Sequence, residues 1–342
     1  MEEIVIFNSK RKWFFAGLVF CFSVTLGLSP TWAASNTYNI KYATASPPGS
    51  FHVAFAEKFK ELAENYSNGK LNIKVYIGGQ LGSEQDNVQA CSTNMIQMAT
   101  MAVNNVTPFA PEVGFMTLPY MFPQIDDVYK LFRHPFMDEL NNQIVATANI
   151  RAVSWLVGGY RVLTNGKKEV LDPSDLKGLT IRVPKNPIMI ETYKAWGINP
   201  VPMAWTELFN ALQQGVVDGQ DNPHGINMAA KFFEVQKYIT DIHYILWTGP
   251  CIISETFFQK LPDNLKQALV KAAKEAAEYE WKWAAEEDQK ALQVCLDHGM
   301  KFSKPANNEK EWIEKGRSVW PKFYEKVGGK ETVDKIQTIL TR

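Results

Sequence analysis

Near the start of the chain, hydrophobic and polar residues first alternate, then follow a helical spacing, and then alternate again. Residues 39–44 alternate as in a β-strand, whereas residues 51–65 place phenylalanines every four residues, as on one face of a helix. Residues 71–77 alternate again and are followed by two glycines. A strand, a helix and a strand at this spacing predict a βαβ unit with a parallel strand pair, and therefore an α/β protein.

The same patterns predict the remaining elements. Strands are predicted over residues 150–157, 180–183, 199–203, 216–223 (with a turn) and 238–246, and helices near residue 84, after residue 124, and over residues 188–196, 263–298, 311–317 and 331–340. At a rise of 1.5 Å per residue, the helix over 263–298 is about 54 Å long, which exceeds the width of one small domain.

The N-terminal segment has the composition of a Sec-type signal peptide. Basic residues 10–12 precede an apolar run over 13–28, and small residues follow, so cleavage is expected after Ala33. A retained membrane anchor is the alternative, but the run is short for a membrane span. Cys21 lacks the neighbouring small residues that lipoprotein processing needs. Residues 1–33 are therefore interpreted as a signal peptide, and the mature chain as exported.

Charge and cysteine content exclude several classes of function. Lys plus Arg and Asp plus Glu each total 36, so no basic field points to nucleic acid. The mature chain is long enough for two domains. Cys91, Cys251 and Cys295 are too far apart for a C-x-x-C motif, and buried free thiols are expected, although one internal disulfide stays open. The five histidines show no metal-ligand spacing, and no cofactor is expected.

Arg182 is the most conspicuous charged residue. It lies within the β-branched segment 180–183, which ends at Pro184. Arg182 is therefore predicted to be a strand residue beside the edge of a sheet. A guanidinium there is either solvated or held in place. If held, its planar donors match a carboxylate or a sulfonate bidentately and its charge is permanent. The residues alone leave both interpretations open.

Four motifs occur in order around this arginine. They are GQLGSE at residues 79–84, LPYMF at 118–122, LKGLTIRVP at 176–184 and DGQDNP at 218–223. With these motifs the chain resembles the DctP-type periplasmic solute-binding proteins of TRAP (tripartite ATP-independent periplasmic) transporters, over essentially its whole mature length. The resemblance implies an α/β, two-lobed periplasmic binding protein-like fold, with a hinge and one long helix spanning both lobes.

The resemblance also implies a division of the chain. Lobe I is expected to comprise residues 34–158 and 248–287, and lobe II residues 159–247 and 288–342. The chain would cross between lobes near residues 158–161 and at Trp247. Ligand is expected to close the lobes about these crossings.

In lobe II the resemblance assigns the ligand contacts to four residues. Arg182 would pair with the acid group, Asn222 would hydrogen-bond it, and Arg161 would be a second arginine beside it. Trp205 would lie against the ligand, with buried packing as the alternative. For Asn222 the alternative is an Asx turn before proline, and both roles can hold together.

In lobe I three polar residues follow strand ends, where α/β folds bind ligands. Glu84 is a candidate contact, or else a first-turn acid that favours the helix dipole. Asn104 and Asn105 are further candidates, with a plain turn as the alternative. His52 and His224 lie beside predicted cleft loops and are expected to have polar lining or surface roles, with a catalytic role as the alternative.

The function implied is a periplasmic receptor for a small organic anion, which it delivers to the small and large TRAP membrane subunits. The anion would be a carboxylate or sulfonate, such as a hydroxy, keto or sugar acid or isethionate. Trp155, Trp205 and Trp247 would suit a small or partly apolar acid, or else form core. The protein is expected to be a monomer, neither an enzyme nor embedded in the membrane.

Two alternatives belong to other classes. A secreted enzyme acting on organic acids is disfavoured because the sequence has no G-x-S-x-G elbow and no H-E-x-x-H motif. A sensor that presents its ligand to a signalling receptor would use the same fold.

Cleavage of the signal peptide is the first testable prediction. N-terminal sequencing of the protein from a periplasmic extract should begin at or within a few residues of Ala34, because the small-residue exit follows the apolar run directly. Uncleaved protein in the membrane fraction would contradict the signal-peptide assignment.

Overall fold

A computed structural model of the chain describes residues 37–341, so the predicted signal peptide lies outside the described residues. The strands are β1 (Tyr38–Thr44), β2 (Leu71–Tyr76), β3 (Met98–Thr100), β4 (Ile150–Tyr160), β5 (Val162–Asn165), β6 (Arg182–Val183), β7 (Val201–Pro202), β8 (Gly219–Asn222), β9 (Tyr238–Thr240), β10 (Leu246–Ser254) and β11 (Lys301–Ser303). The helices are α1 (Phe51–Tyr66), α2 (Glu84–Ser92), α3 (Ile125–Arg133), α4 (Phe136–Ala148), α5 (Pro187–Ala195), α6 (Trp205–Gln213), α7 (His224–Ala229), α8 (Glu255–Lys260), α9 (Asp263–Asp297), α10 (Lys310–Arg317) and α11 (Lys330–Leu340).

The first sheet has five strands in the order β2-β1-β3-β10-β4. Strand β1 pairs in parallel with both β2 and β3, which confirms the predicted βαβ unit. Strand β10 is antiparallel to β3 and β4. This sheet is the centre of lobe I.

The second sheet has the order β11-β9-β5-β8, and a parallel β6-β7 pair adjoins it through a bridge between Ile181 and Gly219. These strands form lobe II. Because β4 and β5 are separated by a single residue, Arg161, the chain passes directly from one sheet into the other. The two lobes of the predicted fold are thus present.

The prediction of a single strand over residues 238–246 is wrong. Its two ends lie in different sheets, as β9 and β10, and residues 241–245 connect them. Ile242, Tyr244 and Ile245 are buried in a lobe II core cluster, so the apolar pattern continues although the strand does not. The connecting backbone is held instead by Tyr120, whose N–H donates to the Tyr244 carbonyl oxygen at 2.5 Å.

Each face of the lobe I sheet has its own apolar core. On one face α1 packs against α9 through residues such as Phe59 and Leu269. On the other face Leu131 of α3 and Ile336 of α11 share a cluster. Helix α11 therefore packs on lobe I, which differs from the predicted placement of residues 288–342 in lobe II. The apolar face of α11 complements α3, a long-range match that sequence order does not reveal. The other lobe boundaries stay predictions.

Helix α9 spans both lobes, as the resemblance implies. It is 35 residues long. Leu269 and Ala272 pack in the lobe I core, whereas Cys295 packs with Val162 and Ile239 of the lobe II sheet. Within residues 37–341 no helix combines the length and apolar character that a membrane crossing requires. Cys91, Cys251 and Cys295 are buried free thiols, in agreement with the sequence interpretation.

The crossing strand β4 makes a close contact with the start of α1. A Cβ atom on Gly158 would lie 2.1 Å from the ring of Phe51, which real side chains do not allow. The missing side chain therefore lets Phe51 pack directly on the crossing. This contact fixes the N-terminus of α1 against the hinge.

We expect Gly158→Ala to lower the free energy of unfolding by about 1–3 kcal/mol, because the added methyl group overpacks against Phe51. Urea unfolding measures the change. Gly225→Ala is the matched control, since its Cβ would have no neighbour nearer than 4.0 Å. A Gly158→Ala protein as stable as this control would contradict the close packing.

Candidate ligand-binding site

A cavity lies between the lobes. All seven residues predicted as ligand contacts line it. The lining residues are Ser46, His52, Glu84, Ala102, Asn104 and Asn105 from lobe I, with Arg161, Arg182, Pro184, Trp205, Asn222, Ile226 and Trp247. The structure thus brings the predicted set together, while its role in binding stays a prediction.

Arg182 is buried in the wall of this cavity, with 2% of its surface exposed, so it is not a solvated edge residue. Its Nε and Nη2 atoms donate to the carbonyl oxygen of Met203 at 3.0 and 2.8 Å. Within residues 37–341 no carboxylate forms an ion pair with it. Burial and the nearby charge of Arg161 lower the pKa of Arg182 to about 10, so it is still a cation at neutral pH.

Arg161, by contrast, is paired with a carboxylate. Its Nε donates to Oδ1 of Asp221 at 2.5 Å, and its Nη2 donates to the Asp221 carbonyl oxygen at 2.6 Å. Burial opposes the charge, but Asp221 outweighs it and the pKa of Arg161 is raised. The hydroxyls of Tyr193 and Tyr244 donate to Oδ2 of Asp221 at 2.8 and 2.6 Å. Asp221 therefore pairs with Arg161, whereas Arg182 forms no ion pair within residues 37–341, although Asp221 and Glu84 favour its charge from beyond ion-pair distance.

The sequence analysis did not identify the role of Asp221. It lies in the DGQDNP motif beside Asn222, and its position before a predicted contact was the available signal. Its partners come from distant segments of the chain, and no local pattern pairs them.

Glu84 supplies acceptors on the lobe I side. It is the first residue of α2, where Ser83 caps the helix. Its Oε1 accepts from the Ala102 N–H at 3.1 Å and its Oε2 from Nδ2 of Asn105 at 2.6 Å. Burial raises the pKa of Glu84, and the bond from Ala102 opposes that rise. Glu84 is thus both a first-turn helix acid and a cavity residue.

Asn104 and Asn222 are buried amides on opposite walls. The backbone carbonyl oxygen of Asn104 accepts a hydrogen bond from Nδ2 of Asn186 at 3.3 Å. The side-chain Nδ2 of Asn104 has no hydrogen-bond partner among the described residues. Asn222 donates from Nδ2 to Oε1 of Gln220 at 2.6 Å. The backbone carbonyl oxygen of Asn222 accepts a hydrogen bond from the Asn227 side chain. This bond shapes the turn as well as the cavity wall.

The tryptophans separate into two groups. Trp205 and Trp247 line the cavity, whereas Trp155 stacks on Phe132 in a groove of lobe I, with ring centroids 5.3 Å apart. Trp155 is therefore part of the lobe I core, which is the second of the two alternatives that the sequence left open. Trp205 Nε1 donates to the Ala45 carbonyl oxygen at 3.1 Å and so links the lobes directly. With the Asn186 contacts to lobe I, this bond makes the arrangement a closed one.

His52 lines the cavity, in agreement with the polar lining role that was one of those predicted for it. It is buried against Phe51 and Trp247. Among the described residues, no group of three or more histidine, cysteine, aspartate or glutamate side chains is arranged to hold a metal ion.

The family model for bacterial extracellular solute-binding protein, family 7 (DctP), matches residues 42–327. The chain therefore belongs to this family of solute-binding proteins. The similarity covers both lobes and every residue that lines the cavity.

Individual relatives have the same fold. The chain is 30% identical over 267 residues to the 2,3-diketo-L-gulonate-binding periplasmic protein YiaO of Escherichia coli, covering 78% of this chain and 80% of YiaO. An apo, open TRAP periplasmic solute-binding protein from Rhodobacter sphaeroides is 36% identical, with a TM-score of 0.74 over 89% of this chain and 99% of that one. A succinate-bound TRAP protein from Sulfurospirillum deleyianum is 28% identical, with a TM-score of 0.83 over 88% and 99%.

We expect Asp221→Asn to destabilise the ligand-free protein by about 3–5 kcal/mol, because it leaves the buried Arg161 charge without its carboxylate. Urea unfolding measures the loss. The control is Glu139→Gln, which breaks an exposed pair with Lys335 and should cost less than about 1 kcal/mol. Equal effects of the two substitutions would show that Asp221 does not balance Arg161.

Proposed function

We propose that this protein is a periplasmic receptor of a TRAP transporter and that it binds a small monocarboxylic acid between its lobes. The observation that supports this most directly is the buried, unpaired Arg182 in the inter-lobe cavity. A guanidinium in such a place favours an anion that accepts two parallel hydrogen bonds. Arg161, Asn222 and Trp205 would surround the same acid group.

The charges around the cavity favour one carboxylate over two. Asp221 pairs with Arg161, so within residues 37–341 Arg182 is the cavity arginine that forms no ion pair. A single carboxylate would give Arg182 a partner at ion-pair distance. A second carboxylate would share the cavity with Glu84 and would find no free cation. The named ligand of YiaO is a monocarboxylic sugar acid, and the succinate-bound relative provides the contrasting case.

The arginine alone does not supply enough affinity. Charge-assisted hydrogen bonds contribute about 1.5–3 kcal/mol each, whereas micromolar binding needs about 8 kcal/mol. Closure of the lobes around the ligand would supply the remainder by burying it. The direct bonds of Trp205 and Asn186 across the cleft support such a closed state. The open R. sphaeroides protein has the lower TM-score despite its higher identity, which also fits a hinge.

The wider role follows from the family and the N-terminal segment. A cleaved signal peptide would export the receptor to the periplasm, where its closed form would be recognised by the small and large membrane subunits. The receptor would act as a monomer and without a cofactor.

Titration calorimetry tests the proposal with glycerate, erythronate, gulonate, succinate and isethionate as probes. We expect micromolar or tighter binding of at least one monocarboxylate and weaker binding of succinate. Arg182→Lys should reduce the affinity on the order of a hundredfold, because a point ammonium does not supply the parallel donors.

Arg133→Lys is the matched control, since Arg133 is exposed outside the cleft and should leave binding unchanged. An Arg182→Lys protein whose affinity is within about threefold of that of the parent would contradict the assignment of Arg182, since losing the parallel guanidinium donors is expected to cost far more. Tighter binding of succinate than of every monocarboxylate would refute the charge argument.

A further inference from the structure

His52 is a polar residue in the cavity whose hydrogen-bonding groups are unused. It is the second residue of α1, and only 3% of its surface is exposed. Neither Nδ1 nor Nε2 has a hydrogen-bond partner within the part of the chain that the structure describes. Buried polar groups are normally paired, so an imidazole in this position calls for an explanation.

Packing fixes the ring but offers it no polar partner. Phe51 stacks on His52 with ring centroids 4.4 Å apart, and Trp247 meets it edge-on at 4.7 Å. Both neighbours are aromatic carbon surfaces. A phenyl ring would fill this space without the desolvation cost of two nitrogens. Core filling therefore does not account for a histidine here.

The imidazole is neutral. Burial lowers the pKa of His52 to about 3. A neutral imidazole has one donor and one acceptor nitrogen. A hydroxyl group can both donate and accept, whereas a carboxylate only accepts. The ring is thus better matched to a hydroxyl than to the acid group.

We propose that His52 hydrogen-bonds a hydroxyl group of the bound acid and thereby selects hydroxylated monocarboxylates over their deoxy analogues. This inference rests on the proposed function, which places the carboxylate at Arg182 in lobe II. Asn104 has a buried Nδ2 without a partner in the described chain, and Glu84 offers carboxylate oxygens in the same lobe I wall. Together they form a polar wall suited to the hydroxylated part of the ligand.

The test compares His52→Phe with the parent protein. Calorimetric probes are D-glycerate and D-erythronate, each with its monodeoxy analogues, so that one hydroxyl is removed at a time. The parent should lose tenfold or more in affinity when one particular hydroxyl is absent. His52→Phe should lose a similar factor for the full probe, yet bind that deoxy analogue within threefold of the parent. The coupling between the substitution and the missing hydroxyl is the signature of direct contact.

Two further measurements separate contact from a structural role. Because His52→Phe removes unpaired buried nitrogens, its ligand-free melting temperature should equal or exceed that of the parent. The imidazole ¹⁵N resonances of His52 should shift with the full probe and stay unchanged with the critical deoxy analogue. His298→Phe is the control, because His298 is exposed and stacks on Phe233 away from the cavity.

The outcomes distinguish this inference from the proposed function. If the affinity of His52→Phe for the full probe is within threefold of that of the parent, or if the substitution lowers the affinities for full and deoxy probes equally, His52 does not hydrogen-bond a hydroxyl group of the ligand. The receptor assignment would still stand. If Arg182→Lys binds every probe as tightly as the parent, the receptor site itself is misplaced. A His52→Phe protein that melts well below the parent would identify His52 as a structural residue.

Discussion

A buried cation that forms no ion pair within residues 37–341 is the constraint on which the cavity of this protein depends. Arg182 is held at one edge by the carbonyl oxygen of Met203, which orients the guanidinium but does not neutralise it. A charge without an ion-pair partner in the interior is unfavourable. The fold retains that cost at the place where both lobes meet, and an anion bound in the cavity would reduce it.

The surroundings of Arg182 explain why the cost is confined to one residue. Arg161 lies in the same cavity, but Asp221, Tyr193 and Tyr244 form a closed network that balances its charge. The contacts across the cleft include hydrogen bonds, such as Trp205 to Ala45, and apolar contacts, because Ile188 and Ile226 of lobe II belong to the two lobe I clusters. Polar links can be exchanged for water at little net cost. Lobe separation would therefore have to expose some apolar surface as well as break these hydrogen bonds.

Local patterns were sufficient to predict much of the fold. The alternation in β1 and β2, the helical spacing in α1 and the uninterrupted α9 all depend on residues close in sequence. The motifs around Arg182 identified the family and named seven residues that the structure brings to one cavity. Prediction failed where the decisive contact is distant: residues 238–246 divide between two sheets, and α11 packs on lobe I.

The sequence by itself determined many of the elements, the family and which side chains are chemically able to bind an acid. It left open whether Arg182 is solvated or buried, and it did not pair Asp221 with Arg161, which is 60 residues away. Only the tertiary structure decided these points, and it alone showed that the ring nitrogens of His52 have no hydrogen-bond partner within residues 37–341. The physical reason is that charge balance and desolvation depend on neighbours in space, and those neighbours come from both lobes.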